Sequence, residues 1–424
     1  MTTVNPQANR DAGELAALLP AIPRLITALG GRTVPGPWDF DEHQIRLQHR
    51  PGAGISAIYR MPVGTGFAEL GVSTEKIHMP GAPGIEVPGP ASDPDTGSPV
   101  TVTGWIHPHD PMLPGLATAL DGPEVARLWG QGDLLGSIKT VAYRPLRRAV
   151  VRVSFVTRGP LRIERSVYLK VGREHAIAAL LKRHRLMEGS AVPVPRVLEP
   201  VLAGILALEE GTGEGLAAAI RRDAGNDLAP EDFTSLLDGL PRELMDLPAR
   251  RAWTDGIRRY RQAAVLALPA QQDRIDALVR RIENHLGHSD RGPLVPVHGD
   301  FYDGNILMRA GRISAVLDLD SLGPGHRVDD LACFLGHLAV LPSISGKNLP
   351  AAAALERFGG AFERTVDPVA LWARAGAVAL TLVAGARVAG SDAWIPAAEA
   401  RLRVAEELVD RADRSGLGGS GGAG

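Results

Sequence analysis

Residues 298–318 constrain this chain more than any other stretch. His298-Gly-Asp-Phe-Tyr-Asp-Gly-Asn305 is dense in turn-forming residues and runs straight into Ile306-Leu-Met308, then Ala310-Gly-Arg312, then Ile313-Ser-Ala-Val-Leu317 and Asp318. Two short apolar runs separated by a glycine-bearing turn read as a β-hairpin. That hairpin has Asn305 at its entrance and Asp318 at its exit, with Asp300 five residues upstream of Asn305 on a tight loop. A local fold therefore gathers two carboxylates and an amide that lie apart in sequence.

Phosphoryl transfer uses such a set: one anionic group orients the attacking hydroxyl, and hard oxygen ligands hold magnesium against nucleotide phosphates. Asp300 suits the first task, and Asn305 and Asp318 the second. Asp, Asn and Gly also populate turns for backbone reasons alone, and Asp303-Gly304 is read that way. His298 is read as fastening the loop to neighbouring backbone rather than moving a proton.

The block resembles the aminoglycoside phosphotransferase and choline kinase family, relatives of protein kinases that act on small molecules. The resemblance lies in His298-Gly-Asp-x-x-x-x-Asn305, in Val316-Leu-Asp318, and in Gly323-x-Gly325 followed by Asp330-Leu-Ala332. It implies that Asp300 is the catalytic base or orienting group, that Asn305 and Asp318 bind Mg2+, and that Asp330 braces the loop from behind. Gly325-His326-Arg327 departs from the family's usual Gly-Asp-Pro.

Upstream, Ser166-Val-Tyr-Leu-Lys170-Val alternates like a half-buried strand, and Gly172-Arg173-Glu174 opens a helical pattern. This resembles the family's third strand and following helix, which implies Lys170 on the nucleotide phosphates and Glu174 paired with Lys170. Arg147 or Arg148, in the turn of the preceding hairpin, are further candidates for phosphate contact. Gly204 to Gly213 resembles the family's adenine-binding hinge, with backbone at Glu209, Glu210 and Gly211 meeting the base. ATP is the expected co-substrate by family habit, with GTP left open.

The resemblance implies an α+β, bilobal protein-kinase-like fold. The expected divisions are an N-terminal cap segment (1–125), a nucleotide-binding sheet and helix (126–212), and a helical lobe (213–424) ending in a flexible tail from 415. Within the first segment, Ala12 to Leu29 reads as a helix, Ile45 to Met61 as a hairpin, and the Pro/Gly-rich Met79 to Pro99 as an exposed loop. His49-Arg50-Pro51 before Ile55-Ser-Ala-Ile-Tyr59 echoes Tyr143-Arg144-Pro145 before Ala149-Val-Val-Arg-Val153. Trp105-Ile-His-Pro-His-Asp-Pro-Met-Leu-Pro114 reads as a loop joining cap to lobe, since its three prolines break the spacing that helical metal-ligand pairs use.

A formal net charge of -2 gives no electrostatic case for nucleic acid. The single cysteine, Cys333, excludes an intramolecular disulfide and a multi-cysteine zinc site. The apolar run Ala375 to Ala386 is too short to cross a bilayer and suits a buried helix. With no secretory-signal pattern near Met1, a cytoplasmic enzyme is expected. Its partner is a hydroxyl-bearing small molecule: an aminoglycoside, a sugar or an amino sugar. Arg258, Arg259, Arg261, Arg274, Arg280 and Arg281 argue mildly against a polycation. The second reading is a catalytically silent nucleotide-binding or scaffolding module, which the presence of Lys170, Glu174, Asp300, Asn305 and Asp318 together opposes.

Overall fold

Strand-forming sequence fills the first half of the chain, and its hydrogen bonding closes into two separate five-stranded antiparallel sheets. The computed structural model describes residues 6–30, 45–49, 54–63, 66–77, 84–92, 97–159, 161–386 and 393–419. The Arg50-Pro51 turn, parts of the 79–99 stretch and residues 420–424 lie outside the described residues. By contact density the chain divides into two units, 1–181 with 196–210 and 182–195 with 211–424.

In the first unit, α1 (Pro6–Gly30) precedes β1 (Ile45–His49), β2 (Ile55–Val63), β3 (Gly66–Ser73), β4 (Ile85–Ser92) and β5 (Pro99–Ile106). The strands lie in the order β1-β2-β3-β5-β4, and Ala17, Leu18, Ile22 and Leu25 of α1 share a core with Ile55, Tyr59, Leu70, Val72 and Val102. The expected exposed loop at 79–99 thus contains a strand. β4 carries Pro88 and Pro90 but occupies the sheet edge, where a missing N–H breaks no ladder, and its register with β5 slips between Pro88 and Ser92.

Two short helices, α2 (Gly115–Leu120) and α3 (Gly122–Trp129), lead to β6 (Leu134–Arg144), β7 (Arg148–Val156), β8 (Glu164–Gly172), α4 (Glu174–Met187), β9 (Val197–Leu202) and β10 (Ile205–Glu209). The second sheet has the order β6-β7-β8-β10-β9, the same pattern as the first. The hairpin that carries the Arg-Pro echo thus takes the equivalent place in each sheet. Long side chains tie the two sheets together. Trp105 of β5 donates to the Tyr143 hydroxyl of β6 at 3.3 Å, and that hydroxyl donates to Asp110 at 2.8 Å. Asp110 is buried and also accepts the Leu146 and Met112 N–H groups, so it serves as a structural tie in the linker. Gly71 leaves room for this arrangement, because a Cβ there would meet the Trp105 ring at 2.2 Å.

The second unit is mostly helical. β11 (Glu214–Gly215), α5 (Leu216–Asp223), α6 (Pro230–Asp238), α7 (Ile257–Ala267) and α8 (Gln272–His288) lead to β12 (Leu294–Val297), the hairpin β13 (Ile306–Arg309) and β14 (Arg312–Val316), and β15 (Gly323–His326). The remaining helices are α9 (Arg327–Ile344), α10 (Ala351–Phe362), α11 (Pro368–Thr381) and α12 (Ile395–Gly419). Pro368–Ala386 is long and apolar enough to cross a membrane by composition alone, yet most of it is buried in this unit, where α11 packs against α9 and α12. Helix α12 continues through Gly419, past the point where a flexible tail was expected. A nucleated helix gains one hydrogen bond for each residue it adds, which offsets poor glycine propensity.

Candidate active site

The hairpin forms as its turn residues require. Ala310 and Gly311 both have positive φ, 50° and 72°, the conformation of a two-residue turn between twisted strands. Ile306 pairs with Val316, and Leu317 N–H donates to the Asn305 carbonyl at 2.8 Å, so Asn305 lies beside the residue that precedes Asp318. The Asn305 side chain donates through Nδ2 to the Asp300 carbonyl at 2.9 Å. That leaves its Oδ1, a hard and uncharged oxygen, without a hydrogen bond from any described residue.

Three side chains, Asp330, His298 and Phe301, hold the loop in place. Asp330, fully buried at the start of α9, accepts the N–H groups of His298 and Gly299, each at 2.7 Å. Burial pushes its carboxyl up to about 7, while the two N–H groups pull the other way. His298 Nδ1 accepts the Asp300 N–H at 3.3 Å, which places the ring proton on Nε2, and Nε2 then donates to the Leu317 carbonyl at 2.9 Å. His298 is therefore a fastener between the Asp300 loop and the Asp318 strand. Phe301 is buried among Phe233 and Phe334, with ring centroids 5.7 and 6.3 Å away.

Asp318 has φ 60° and ψ 63°, a left-handed conformation that costs a non-glycine residue about 1 kcal/mol or more. Strain of this kind persists only where the surroundings impose it, here between the hairpin and the turn at Leu319–Ser321. Asp303 and Asn305 are buried, and burial pushes the Asp303 carboxyl up to about 6. Among the described residues no cluster of three or more His, Cys, Asp or Glu side chains forms a metal cage. Magnesium needs none, because it binds through one or two protein oxygens together with substrate phosphates and water. Asp318 and the Asn305 amide oxygen fit that pattern.

In the first unit, Lys170 is half-buried on the central strand β8, opposite Val150 and Leu206. Glu174 begins α4 exposed to solvent and makes no ion pair with a described residue, so the expected Lys170–Glu174 pair does not form. Its place at the first turn of the helix satisfies the helix dipole instead. Arg147 is also reassigned. It pairs with Glu75 at 3.0 Å, and Glu75 holds Arg173 at 3.1 Å as well. Glu209 pairs with Arg196, and the Glu210 carboxylate accepts from Tyr168 and Arg152 at 3.3 and 3.4 Å. These side chains are thus occupied, as a hinge that reads a base through its backbone allows. Gly211, in the second unit, lies against the β13–β14 hairpin so closely that a Cβ would stand 2.8 Å from Leu307.

A cleft of about 530 Å3 opens in the second unit, lined by residues 249–256, Arg259, Tyr260, Arg291, Gly299, Ser321, residues 324–326, Asp329, Asp330 and Cys333, among others. Its lining reaches Gly299, the residue before Asp300, and burial raises the pKa of the Tyr260 phenol, opposed by Arg259 and aided by the Asp300 carboxylate. Arg291 pairs with Asp329 at 2.8 Å and Asp255 at 3.3 Å, and buried Arg374 pairs with Asp329 at 3.1 Å. Four of the six arginines picked out above from 258–281 are spent on partners: Arg258 on Glu283, Arg261 on Asp276, Arg274 on Glu406, and Arg281 on Asp410 and Asp413. Only Arg259 of that group lines the cleft, joined by Arg250 and Arg251. Sequence reading missed those two, although their adjacency in a Pro/Ala-rich turn was a signal.

A sequence model of the phosphotransferase enzyme family matches residues 141–378, more than half of the chain. The chain belongs to this family. It is a phosphotransferase that acts on a small-molecule hydroxyl, built on the mixed α+β fold expected for the family. No curated protein matches the chain in sequence. Among solved structures, the aminoglycoside phosphotransferase APH(4)-Ia is 18% identical over a match covering 73% of this chain and 100% of that one, with a TM-score of 0.44. A choline/ethanolamine kinase family protein from Mesorhizobium loti is 16% identical, covering 69% and 96%, with a TM-score of 0.44. ADP-bound aminoglycoside phosphotransferase APH(2'')-Ib is 13% identical, covering 65% and 93%, with a TM-score of 0.38.

Proposed function

We propose that this phosphotransferase moves the γ-phosphoryl group of ATP to a hydroxyl of a small molecule bound in the cleft beside Gly299, in a magnesium-dependent reaction in the cytoplasm. The observation that carries this reading is the bond from the Asn305 amide to the Asp300 carbonyl. It joins the two residues across the loop and leaves the neutral Oδ1 without a hydrogen bond from a described residue, beside Leu317, which precedes Asp318.

Asp300 orients the acceptor hydroxyl and takes its proton as the oxygen attacks the γ-phosphorus and the bond from that phosphorus to the bridging oxygen breaks, releasing ADP. Asp330 and His298 fix the loop so that this carboxylate need not reorganise. Asn305 and Asp318 are the residues that would hold the magnesium ion. When bound, it supplies neutralisation of phosphate charge. Lys170 is assigned to the donor phosphates. Glu174 has no part in holding it, and backbone at Glu209 to Gly211 is assigned to the base.

The test is nucleotide consumption with ATP and magnesium over a panel of aminoglycosides, sugars and amino sugars, with phosphorus NMR of the product. Asp300→Ala should bind nucleotide while losing about 100-fold or more in turnover. Equal turnover by this variant and the parent chain refutes the assignment.

A further inference from the structure

The acceptor cleft has an unbalanced charge. Its wall carries the carboxylates Asp255, Asp329 and Asp330, and each is already engaged. Asp329 is bonded to Arg291 and Arg374, Asp255 to Arg291 and the Ala252 N–H, and Asp330 to the two N–H groups of the catalytic loop. Arg250, Arg251 and Arg259 also line the cleft, and none of them makes a hydrogen bond or ion pair with a described residue. The neighbouring helices α7 and α8 show the opposite habit, with most of their arginines held by carboxylates. Four of the six arginines on those two helices are held by carboxylates, whereas Arg250, Arg251 and Arg259 around this cavity have no described partner.

An ammonium-bearing acceptor would meet no unengaged carboxylate on this wall and would face three guanidinium groups. An oxyanion would find planar donors suited to bidentate contact. Resting on the kinase reading above, we propose that the acceptor is an anion: a hydroxylated small molecule whose carboxylate or phosphate group is held by Arg250, Arg251 and Arg259, with its hydroxyl at Asp300. Gly299 and Tyr260 in the cleft wall connect the anion end to the catalytic end. Trp253 and Tyr260, with ring centroids 6.2 Å apart, give the carbon skeleton an aromatic flank.

The experiment has two arms. In calorimetry, gluconate and glucose 6-phosphate, which separate the carboxylate from the phosphate source, are compared with glucose and glucosamine. The expected result is binding of at least one anion about tenfold or more tighter than either of the others, equivalent to about 1.4 kcal/mol. The Arg250→Gln/Arg251→Gln/Arg259→Gln variant should lose this preference, and Arg258→Gln, whose partner is Glu283 away from the cleft, should keep it. Equal or tighter binding of the uncharged or cationic sugar overturns the proposal.

In the kinetic arm, the arginine variant should raise the acceptor KM about tenfold and leave the ATP KM unchanged. A rise in the ATP KM instead overturns the proposal by assigning the arginines to the donor phosphates. Anion binding that depends on the three arginines, without turnover of any acceptor, would retain the anion site and count against the kinase reading. Turnover of uncharged sugars without anion preference would do the reverse.

Discussion

Removing the Asp330 carboxylate should damage both the stability of the second unit and its chemistry. Asp330→Ala deletes the acceptor of two 2.7 Å hydrogen bonds in a fully buried place, which strands the His298 and Gly299 N–H groups. Each stranded donor costs about 1–3 kcal/mol. Relief of the buried charge, whose pKa burial pushes up to about 7, returns part of that near neutral pH. The net loss should be about 2–4 kcal/mol, and Asp330→Asn, which keeps one acceptor oxygen, should lose about half as much. Denaturant unfolding followed by tryptophan fluorescence measures the first effect. Steady-state kinetics measures the second: Asp300 follows Gly299 directly, so kcat should fall about 10- to 100-fold while the nucleotide KM changes little. A stability loss under about 1 kcal/mol together with an unchanged kcat would refute the bracing role.

Two further substitutions test the same loop. Asp303→Asn should remove a pH dependence: a buried carboxyl raised from 3.8 to about 6 stabilises the fold fully below its unfolded pKa. That contribution, about 3 kcal/mol, is lost as pH rises from about 4 to 6. The stability difference between parent and variant should therefore vary across that window and stay flat above it, and a difference that does not change with pH would contradict the buried placement. Gly299→Ala forces a side chain into φ 78° and sets its Cβ 2.8 Å from the Ser321 carbonyl oxygen. It should cost about 2 kcal/mol or more and depress kcat, and an unchanged melting temperature would count against this geometry.

The hairpin was legible from residues 298–318 because every signal in it is local: turn residues, two short apolar strands and a register set by a two-residue turn. Asp330 was legible only through the family pattern, since its partners lie 31 and 32 residues away. Long-range pairing decided what sequence reading got wrong. Arg147 finds Glu75 across 72 residues. Strand β4 escaped notice because proline at a sheet edge looks, in sequence, like proline in a loop. Counting arginines between 258 and 281 pointed away from a polycation, but through residues that mostly pair with α8 or α12, whereas the cleft's cationic wall comes from Arg250, Arg251 and Arg259.

The most direct measurement is calorimetric titration of ATP with and without magnesium into the parent chain, Asp318→Ala and Asp300→Ala. The expected result is magnesium-enhanced ATP binding in the parent and in Asp300→Ala, and loss of that enhancement in Asp318→Ala. An Asp318→Ala chain that binds magnesium and ATP as the parent does would contradict the assignment of the metal to the hairpin, and the mechanism built on it.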